Sequence, residues 1–190
     1  QNDCQRIRTR NIPIDGFVLT EHRQFDDESD YSERAAAHDL VILKASEVET
    51  EYGHVLVYGV TQALTQAFDF ASINNRLSDV IEAANAHGAI AVPCHPGRPK
   101  VGMFAHTEAL GIPPGVQIVE IYNGGSRDDE DQIARTGAED NGYLGIGGSD
   151  SHIVSHVGRC ATRFEADITS IDDLVAALKA GAFEAITLKT

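Results

Sequence analysis

The chain has 190 residues, of which 42% are apolar and 23% charged, a composition typical of a globular protein with one sizeable core. No apolar stretch is long enough to span a bilayer. The net charge of −14 argues against a non-specific nucleic-acid binder and a membrane-surface protein, since both need a basic face. We therefore expect neither a nucleic-acid duplex nor a membrane as a partner, and an anionic substrate would need bound cations.

The cysteine pattern favours a reducing compartment. The three cysteines, Cys4, Cys94 and Cys160, are widely spaced, odd in number and include no Cys-x-x-Cys pair, so they do not indicate a disulfide framework. The first residues are polar and do not resemble a signal peptide. We expect a cytoplasmic protein, and the sequence leaves its oligomeric state open.

Strand-like and helix-like segments alternate along the chain, which predicts an α/β domain with parallel strands. Residues 4–16 have the pattern of a helix and a turn, with Cys4, Ile7 and Ile14 at core positions. The acidic stretch 24–34 lacks the spacing of a calcium-binding EF-hand, so we interpret it as a solvated loop. The predicted strands cover residues 17–20, 40–43, 55–60, 89–92, 116–122 and 144–146.

Two helices are clear from their periodicity and their end signals. In residues 72–87 the apolar positions fall on one helical stripe, and Gly88 follows as a stop. The second covers residues 171–180, where Ser170 and Asp173 resemble a capping box and Gly181 ends the helix. A weaker, more polar helix is predicted over residues 128–141. The stripe of the first helix consists of Ile73, Leu77, Val80, Ile81 and Ala84.

Residues that commonly bind metal ions follow several of the predicted strands. His22, His95, Asp150 and His152 each come shortly after an apolar run. In a closed parallel barrel all strand carboxyl ends open on one face, so these side chains should converge there. Imidazole and carboxylate groups together suit Zn, Mn or Fe. The sequence therefore predicts a metal centre assembled from distant segments.

Five short motifs resemble those of one family. Thr20-Glu21-His22 resembles a Thr-Asp-His motif, and residues 47–54 resemble a glutamate strand that ends in Gly-His. Residues 94–98 resemble the His-Pro-x-Arg motif, residues 119–123 the Ile-Glu-Val-x-Asn strand, and residues 148–152 match Gly-Ser-Asp-x-His. In this order, and over nearly the whole chain, they resemble the PHP (polymerase and histidinol phosphatase) domain family.

The resemblance implies a distorted seven-stranded (β/α) barrel holding two or three divalent metal ions, Mn, Zn or Fe. Glu47 would bridge two ions, and its distance in sequence from His54 favours it over Glu49 for that role. Residues 1–190 would form one PHP-like catalytic domain, of which 156–190 resemble the PHP-associated C-terminal segment. The implied metal ligands are His22, Glu47, His54, His95, Asp150 and His152.

One part of the family pattern is missing from the sequence. PHP domains open with a strand that ends in His-x-His, and both histidines bind metal, but no such motif is present. Residues 4–16 resemble instead the helix and turn that follow it. We therefore expect the natural protein to carry the first strand upstream. Asp3 is a weaker candidate for the acidic ligand that follows this motif.

The resemblance implies a metal-dependent hydrolase that cleaves a phosphate ester of a small phosphorylated substrate with a metal-activated hydroxide. Arg98 would hold the phosphate, although a salt bridge in an acidic protein is the alternative, and Asn123 would contact substrate or cap a loop. His152, at the edge of the cluster, or a water would protonate the leaving oxygen. A nucleophilic Cys94 is disfavoured, since it lacks a base once His95 binds metal.

Two other functions fit the same pattern. One is an amidohydrolase-like enzyme that cleaves an amide or a lactone with a similar metal centre. The other is a non-catalytic PHP-like binding module, because the His-x-His motif is absent from this sequence.

Overall fold

The computed structural model describes residues 2–127 and 129–188. Asp128, the first residue of the weak predicted helix, and residues 189–190 of the predicted C-terminal segment lie outside this part of the chain. None of the helices in the described ranges is long and apolar enough to cross a membrane.

Helices and strands alternate, as the sequence predicts. Two 3₁₀ turns, Met103–Ala105 and Val154–His156, lie in the loops. The helices are α1 (Asn2–Thr9), α2 (Ser32–His38), α3 (Gln62–Thr65), α4 (Leu77–Ala86), α5 (Thr107–Leu110), α6 (Glu130–Asn141) and α7 (Ile171–Ala180). The strands are β1 (Gly16–His22), β2 (Val41–Thr50), β3 (Gly53–Tyr58), β4 (Ile90–Pro93), β5 (Ile118–Asn123), β6 (Leu144–Gly148), β7 (Cys160–Phe164) and β8 (Phe183–Thr187).

The sheets are mixed, so the expectation of parallel strands throughout is wrong. β1 and β2 are parallel, and so are β5 and β6, but β3 runs antiparallel to both β2 and β4. β2 and β3 are joined by only two residues, Glu51 and Tyr52, and so short a link allows only antiparallel pairing. β7 and β8 form an additional antiparallel pair that the sequence did not indicate.

The described strands do not close into the predicted seven-stranded barrel. They form one four-stranded sheet in the order β1-β2-β3-β4 and two separate pairs, β5-β6 and β7-β8. β1 is an edge strand, since β2 is its only partner among the described strands. A cleft of about 1110 Å³ separates β1 from β6 and β7, and apolar side chains such as Phe17, Leu43 and Leu56 line its wall. The fold is therefore an α/β fold with an open side next to β1.

The core is built on both faces of β3. Val55 and Val57 belong to one buried cluster together with Leu77 and Val80 of α4. Leu56 belongs to a second cluster on the opposite face, which includes the buried side chains of α7. Because successive side chains of a strand point to opposite faces, a continuously apolar run such as that of β3 requires cover on both sides.

Contacts outside the helix determine where α4 begins. The helix begins at Leu77 rather than at residue 72, because the Glu51 carboxylate accepts a hydrogen bond from the Leu77 backbone N–H (2.8 Å). Just before it, Asn75 forms an isolated bridge with Thr50. Ile73, predicted to lie on the buried stripe, therefore stands outside the helix and is 56% exposed.

α1 packs through a small apolar cluster of its own. Cys4 and Ile7 are buried together with Leu40, and Ile14 packs against them. The predicted core positions of this N-terminal helix and turn are confirmed.

We predict that the N-cap of α7 stabilises the fold measurably. Ser170 accepts a hydrogen bond from the Asp173 N–H, and the Asp173 carboxylate accepts one from the Ser170 N–H. Ser170→Ala should lower the free energy of unfolding by about 1 kcal/mol in urea titrations. As a control, Ser78→Ala removes a hydroxyl that donates to the neighbouring exposed Asp79 side chain, and it should have little effect.

The effect of the cap should depend on pH. Hydrogen bonds from Thr169 and Ser170 lower the pKa of Asp173, so this carboxylate stabilises the folded state above its unfolded pKa. That stabilisation is lost as the pH falls through the lowered pKa of the folded state. The loss in the free energy of unfolding caused by Asp173→Asn should therefore shrink in acid, and a loss that stays constant would contradict the capping assignment.

Candidate metal centre

The side chains that the sequence predicts as metal ligands lie at one edge of the sheets. β1, β2, β4, β5 and β6 all direct their carboxyl ends to this edge, and the antiparallel β3 directs its amino end there. In the strand register, His22 lies opposite Glu47, and Glu49 lies opposite His54. Residues 22, 47 and 54 therefore meet although β3 runs in the opposite direction.

Glu47 lies between two imidazoles. Its Oε1 atom is 2.8 Å from His54 Nδ1 and 3.2 Å from His22 Nδ1. On its other side, His22 approaches His152, with the two Nε2 atoms 3.2 Å apart. Glu49, the alternative bridging carboxylate, lies instead at the rim, 3.7 Å from Arg23 Nε. The geometry therefore supports Glu47 over Glu49 as the central carboxylate.

His95 enters the cluster from the end of β4. Its ring lies 5.2 Å from that of His54, and its backbone adopts a left-handed conformation with φ of 32°. Ligand atoms of Glu47, Cys94 and His95 all lie within 4.8 Å of one another, and all three residues are buried. The sequence identified His95 from its position after a strand, but it gave Cys94 no role.

Arg98 links the remaining predicted residues. Its Nη2 atom donates hydrogen bonds to Asp150 Oδ2 (2.8 Å) and to Asn123 Oδ1 (3.1 Å). His152 Nδ1 lies 3.5 Å from Asp150 Oδ1. The structure thus brings together all eight residues that the sequence assigned to the site, with Arg98 in the salt bridge that was the alternative to phosphate binding.

Glu120 was missed as a functional residue by the sequence analysis. Its carboxylate accepts hydrogen bonds from the His95 backbone N–H and from Asn123 Nδ2, both at 2.8 Å. A Cβ atom added at Gly148 would lie 2.2 Å from Glu120 Oε1, so the carboxylate fits only beside a glycine. A single acidic residue inside the apolar run 116–122 was the available indication, since an isolated buried charge needs partners.

Burial and neighbouring charges set the protonation states in the site. Burial lowers the pKa of His95 to about 4, and the charge of Arg98 adds to this effect, so the ring is neutral and can offer a lone pair. Burial opposes ionisation of Glu47 and Asp150, but hydrogen bonds and positive charges from their neighbours lower both pKa values overall. Burial raises the pKa of Glu120 to about 7.

The site has the properties that cations require. Three carboxylates, those of Glu47, Glu120 and Asp150, are largely buried beside one guanidinium, that of Arg98. His95 Nδ1 is buried without a hydrogen-bond partner among the described residues. Two nitrogen ligands on one tetrahedral zinc ion would lie roughly 3.3 Å apart, and the Nε2 atoms of His22 and His152 are 3.2 Å apart. These residues therefore fit a cation cluster.

The other titratable candidates lie at the margin of the site or away from it. Asp3, on α1, lines the same cleft as the cluster. His87 and His106 contact the backbone carbonyls of Ala83 and Lys100. Neither belongs to the cluster.

The fold has well-matched counterparts among solved structures. A protein from Pseudomonas syringae, PsfC, matches with a TM-score of 0.73 and 19% identity over 98% of this chain and 81% of its own. A two-domain protein from Bacteroides vulgatus, described as containing a predicted PHP-like metal-dependent phosphoesterase, matches with a TM-score of 0.63 and 19% identity over 98% of this chain. The chain spans 60% of that protein's length.

Endonuclease Q, solved in complex with a 27-mer duplex substrate with an abasic lesion at the active site, matches with a TM-score of 0.66 and 14% identity. The match covers 99% of this chain and 54% of that protein. This finding contradicts our expectation that a nucleic-acid duplex is excluded. The expectation was wrong because it relied on the net charge of the whole chain, which does not describe the charge at one site.

At these identities the solved structures show the fold alone. No curated protein matches the chain in sequence. A family model described as PHP-associated matches residues 130–183. The resemblance to the PHP family that the sequence motifs indicated is thereby confirmed, since the chain has a PHP-like fold and carries a PHP-associated segment.

Proposed function

We propose that this chain is a metal-dependent phosphoesterase. The observation that carries the proposal is the convergence of four imidazoles and two carboxylates from distant segments at one end of the cleft. We propose that two or three divalent ions, Mn, Zn or Fe, bind there. The proposed ligands are His22, Glu47, His54, His95, Asp150 and His152.

When bound, such cations would supply positive charge for the phosphoryl oxygens and make hydroxide available from water near neutral pH. The residues of the chain provide the rest. Arg98 and Asn123 lie beside Asp150 and orient the phosphate ester. His152, whose side chain is 66% exposed at the mouth of the site, is placed to give a proton to the leaving oxygen.

Arg98 has capacity for an anion beyond its present contacts. Its Nη2 atom holds Asp150 and Asn123, and its Nε atom lies 3.6 Å from Glu130. A guanidinium carries five N–H donors in a planar fork, so it can bind a phosphate oxygen while it keeps a carboxylate in place. We propose that Arg98 serves both purposes.

The substrate we propose first is the phosphate ester of a small molecule. A nucleic-acid phosphodiester is the second candidate, because the cluster lies at the mouth of an open cleft, where a polymer has access to the exposed His22 and His152. The complex of Endonuclease Q, a protein of this fold, also favours testing a duplex.

The open side of the fold supports the expectation of a further strand with the His-x-His motif in the natural protein. β1 has a free edge, and an extended segment paired with it would cover the apolar wall formed by Phe17 and Leu43. Running parallel to β1, such a strand would direct its carboxyl end towards His22. Two more imidazoles would then reach the cluster.

We also propose a reducing, cytoplasmic location. Cys4, Cys94 and Cys160 are buried, and no disulfide joins any two of them in the described part of the chain. Buried cysteines that form no disulfide fit a compartment in which thiols are kept reduced.

A substrate panel tests the proposed function. Purified protein with added Mn²⁺ or Zn²⁺ should hydrolyse p-nitrophenyl phosphate or bis(p-nitrophenyl) phosphate, and the panel should include a nucleotide and a duplex oligonucleotide with an abasic site. Turnover of amides or lactones alone would show that the chain is amidohydrolase-like instead. Measured metal binding without any turnover would support the non-catalytic module.

Glu47→Gln should strongly weaken both metal binding and hydrolysis. The amide keeps the shape of the side chain but removes the charge that lies between His22 and His54, so metal affinity and hydrolysis should each fall by at least roughly a hundredfold. Atomic emission after dialysis measures the bound metal. The matched control is Glu49→Gln, on the same strand but paired with Arg23, and it should bind metal like wild type. Equal losses in both variants would contradict the assignment.

Arg98→Lys distinguishes phosphate binding from a structural salt bridge. Lysine keeps the charge but lacks the planar fork, so kcat/KM for phosphate esters should fall by roughly a hundredfold. Arg135→Lys, on α6 and bonded to the Tyr122 hydroxyl, is the control and should change little. If Arg98→Lys lowers thermal stability and metal content without any specific loss toward phosphate esters, Arg98 has only the structural role.

A further inference from the structure

We propose that the Cys94 thiolate is an additional ligand, on the same cation as His95 and Glu47. This inference rests on the proposed function, because it concerns the same metal centre. With Cys94 included, the ligand atoms of the most buried metal position are nitrogen, oxygen and sulfur instead of nitrogen and oxygen alone. The chemical consequence is a preference for zinc over manganese at that position, since thiolate is a soft ligand that suits zinc, whereas manganese prefers oxygen ligands.

The backbone explains how two adjacent residues can serve one ion. Neighbouring side chains of a regular strand point to opposite faces, so Cys94 and His95 could not share a ligand position on an extended β4. The left-handed backbone of His95, φ of 32°, breaks this alternation directly after the strand. The Glu120 carboxylate holds that conformation by accepting the His95 N–H.

The separation of the two ligand atoms matches a shared ion. Cys94 Sγ lies 3.5 Å from His95 Nε2. A nitrogen and a sulfur ligand on one tetrahedral zinc ion, with bond lengths of 2.0–2.1 and 2.3 Å, would lie roughly 3.6 Å apart. Ligand atoms of Glu47, Cys94 and His95 all lie within 4.8 Å of one another, which is close enough for the three residues to hold one ion.

A second observation points to a ligand at this position. His95 is 4% exposed, and its Nδ1 atom finds no hydrogen-bond partner among the described residues. A buried polar atom without a partner is costly, so a bound ligand beside this ring is favoured. Glu47 is 6% exposed, and a cation held by Glu47, Cys94 and His95 would occupy the space between the three groups.

The other two cysteines differ from Cys94 in their surroundings. Cys4 packs in the small apolar cluster with Ile7 and Leu40. Cys160 is equally buried, at the start of β7, but only Cys94 occurs in a potential metal-binding group among the described residues. Cys160 therefore provides a matched control, a buried thiol of the same protein that should not contact the ion.

Cobalt substitution tests the proposal directly. Bound metal ions are removed from the protein with a chelator, and Co²⁺ is added. The cobalt protein is then examined by absorption spectroscopy and atomic emission. A sulfur ligand gives a thiolate-to-cobalt charge-transfer band in the near ultraviolet, which imidazole and carboxylate ligands do not give. We expect the band in wild type and in Cys160→Ser, and we expect its loss in Cys94→Ser.

The metal preference supplies a second readout that does not depend on activity. In competition titrations, Cys94→Ser should lower the affinity for zinc at least tenfold and leave the affinity for Mn²⁺ within twofold. If Cys94→Ser does not fold, Cys94→Ala replaces it, and the wild-type spectrum is decisive by itself.

The possible outcomes separate this inference from the proposed function. Bound cobalt without a charge-transfer band in wild type would overturn the Cys94 ligand and leave the metal centre intact. A band that persists in Cys94→Ser would also overturn it. No bound cobalt in wild type would overturn the proposed metal-dependent function, and the Cys94 ligand with it.

Discussion

The structure depends on how three buried carboxylates are kept together. Glu47, Glu120 and Asp150 converge at one end of the cleft, where removal from water opposes ionisation of each of them. Arg98 compensates Asp150, and two hydrogen bonds support Glu120, but Glu47 lies among imidazoles and the Cys94 thiol. A buried carboxylate among imidazoles favours any cation that can bind there. The preference for metal follows from this imbalance of charge.

The backbone around the site is arranged to maintain that convergence. His95 and Asp150 both have positive φ, a conformation that costs energy for residues other than glycine. Each is held by side-chain contacts, His95 through Glu120 and Asp150 through Arg98. These two contacts meet at Asn123, which bonds to both Glu120 and Arg98. Asn123 thus acts as the link between the two halves of the site.

The sequence predicted much of this arrangement, and physical reasons explain the parts it did not. Six strands and the helix α7 follow from apolar runs and from a capping box, which are local features. Pairing direction is not local, so the antiparallel direction of β3 was missed. The strands β7 and β8 were missed because their apolar residues alternate with polar or charged ones such as Arg163 and Glu184. The candidate site residues stood out in the sequence because each follows a strand or belongs to a motif.

The convergence was predicted correctly although its stated cause was partly wrong. We attributed it to parallel strands with all carboxyl ends on one face. In the structure, the short link between β2 and β3 brings the amino end of β3, with His54, to the same edge as the carboxyl ends of its neighbours. An antiparallel hairpin and a parallel crossover connection can thus bring a side chain such as His54 to the same edge of the sheet. The order of the motifs along the chain does not distinguish between these two connections.

The net charge misled the sequence analysis for a related reason. A total of −14 counts exposed acidic residues such as those in the stretch 24–34, and solvent and salt screen these charges beyond about 10 Å. At the site the charges that matter belong to a few buried groups. A bound cation would turn the net charge there from negative to positive. An acidic chain can therefore present a locally positive centre to a phosphate, whether that phosphate belongs to a small ester or to a duplex. The substrate class follows from the shape of the cleft and from the groups at its mouth, not from the overall charge.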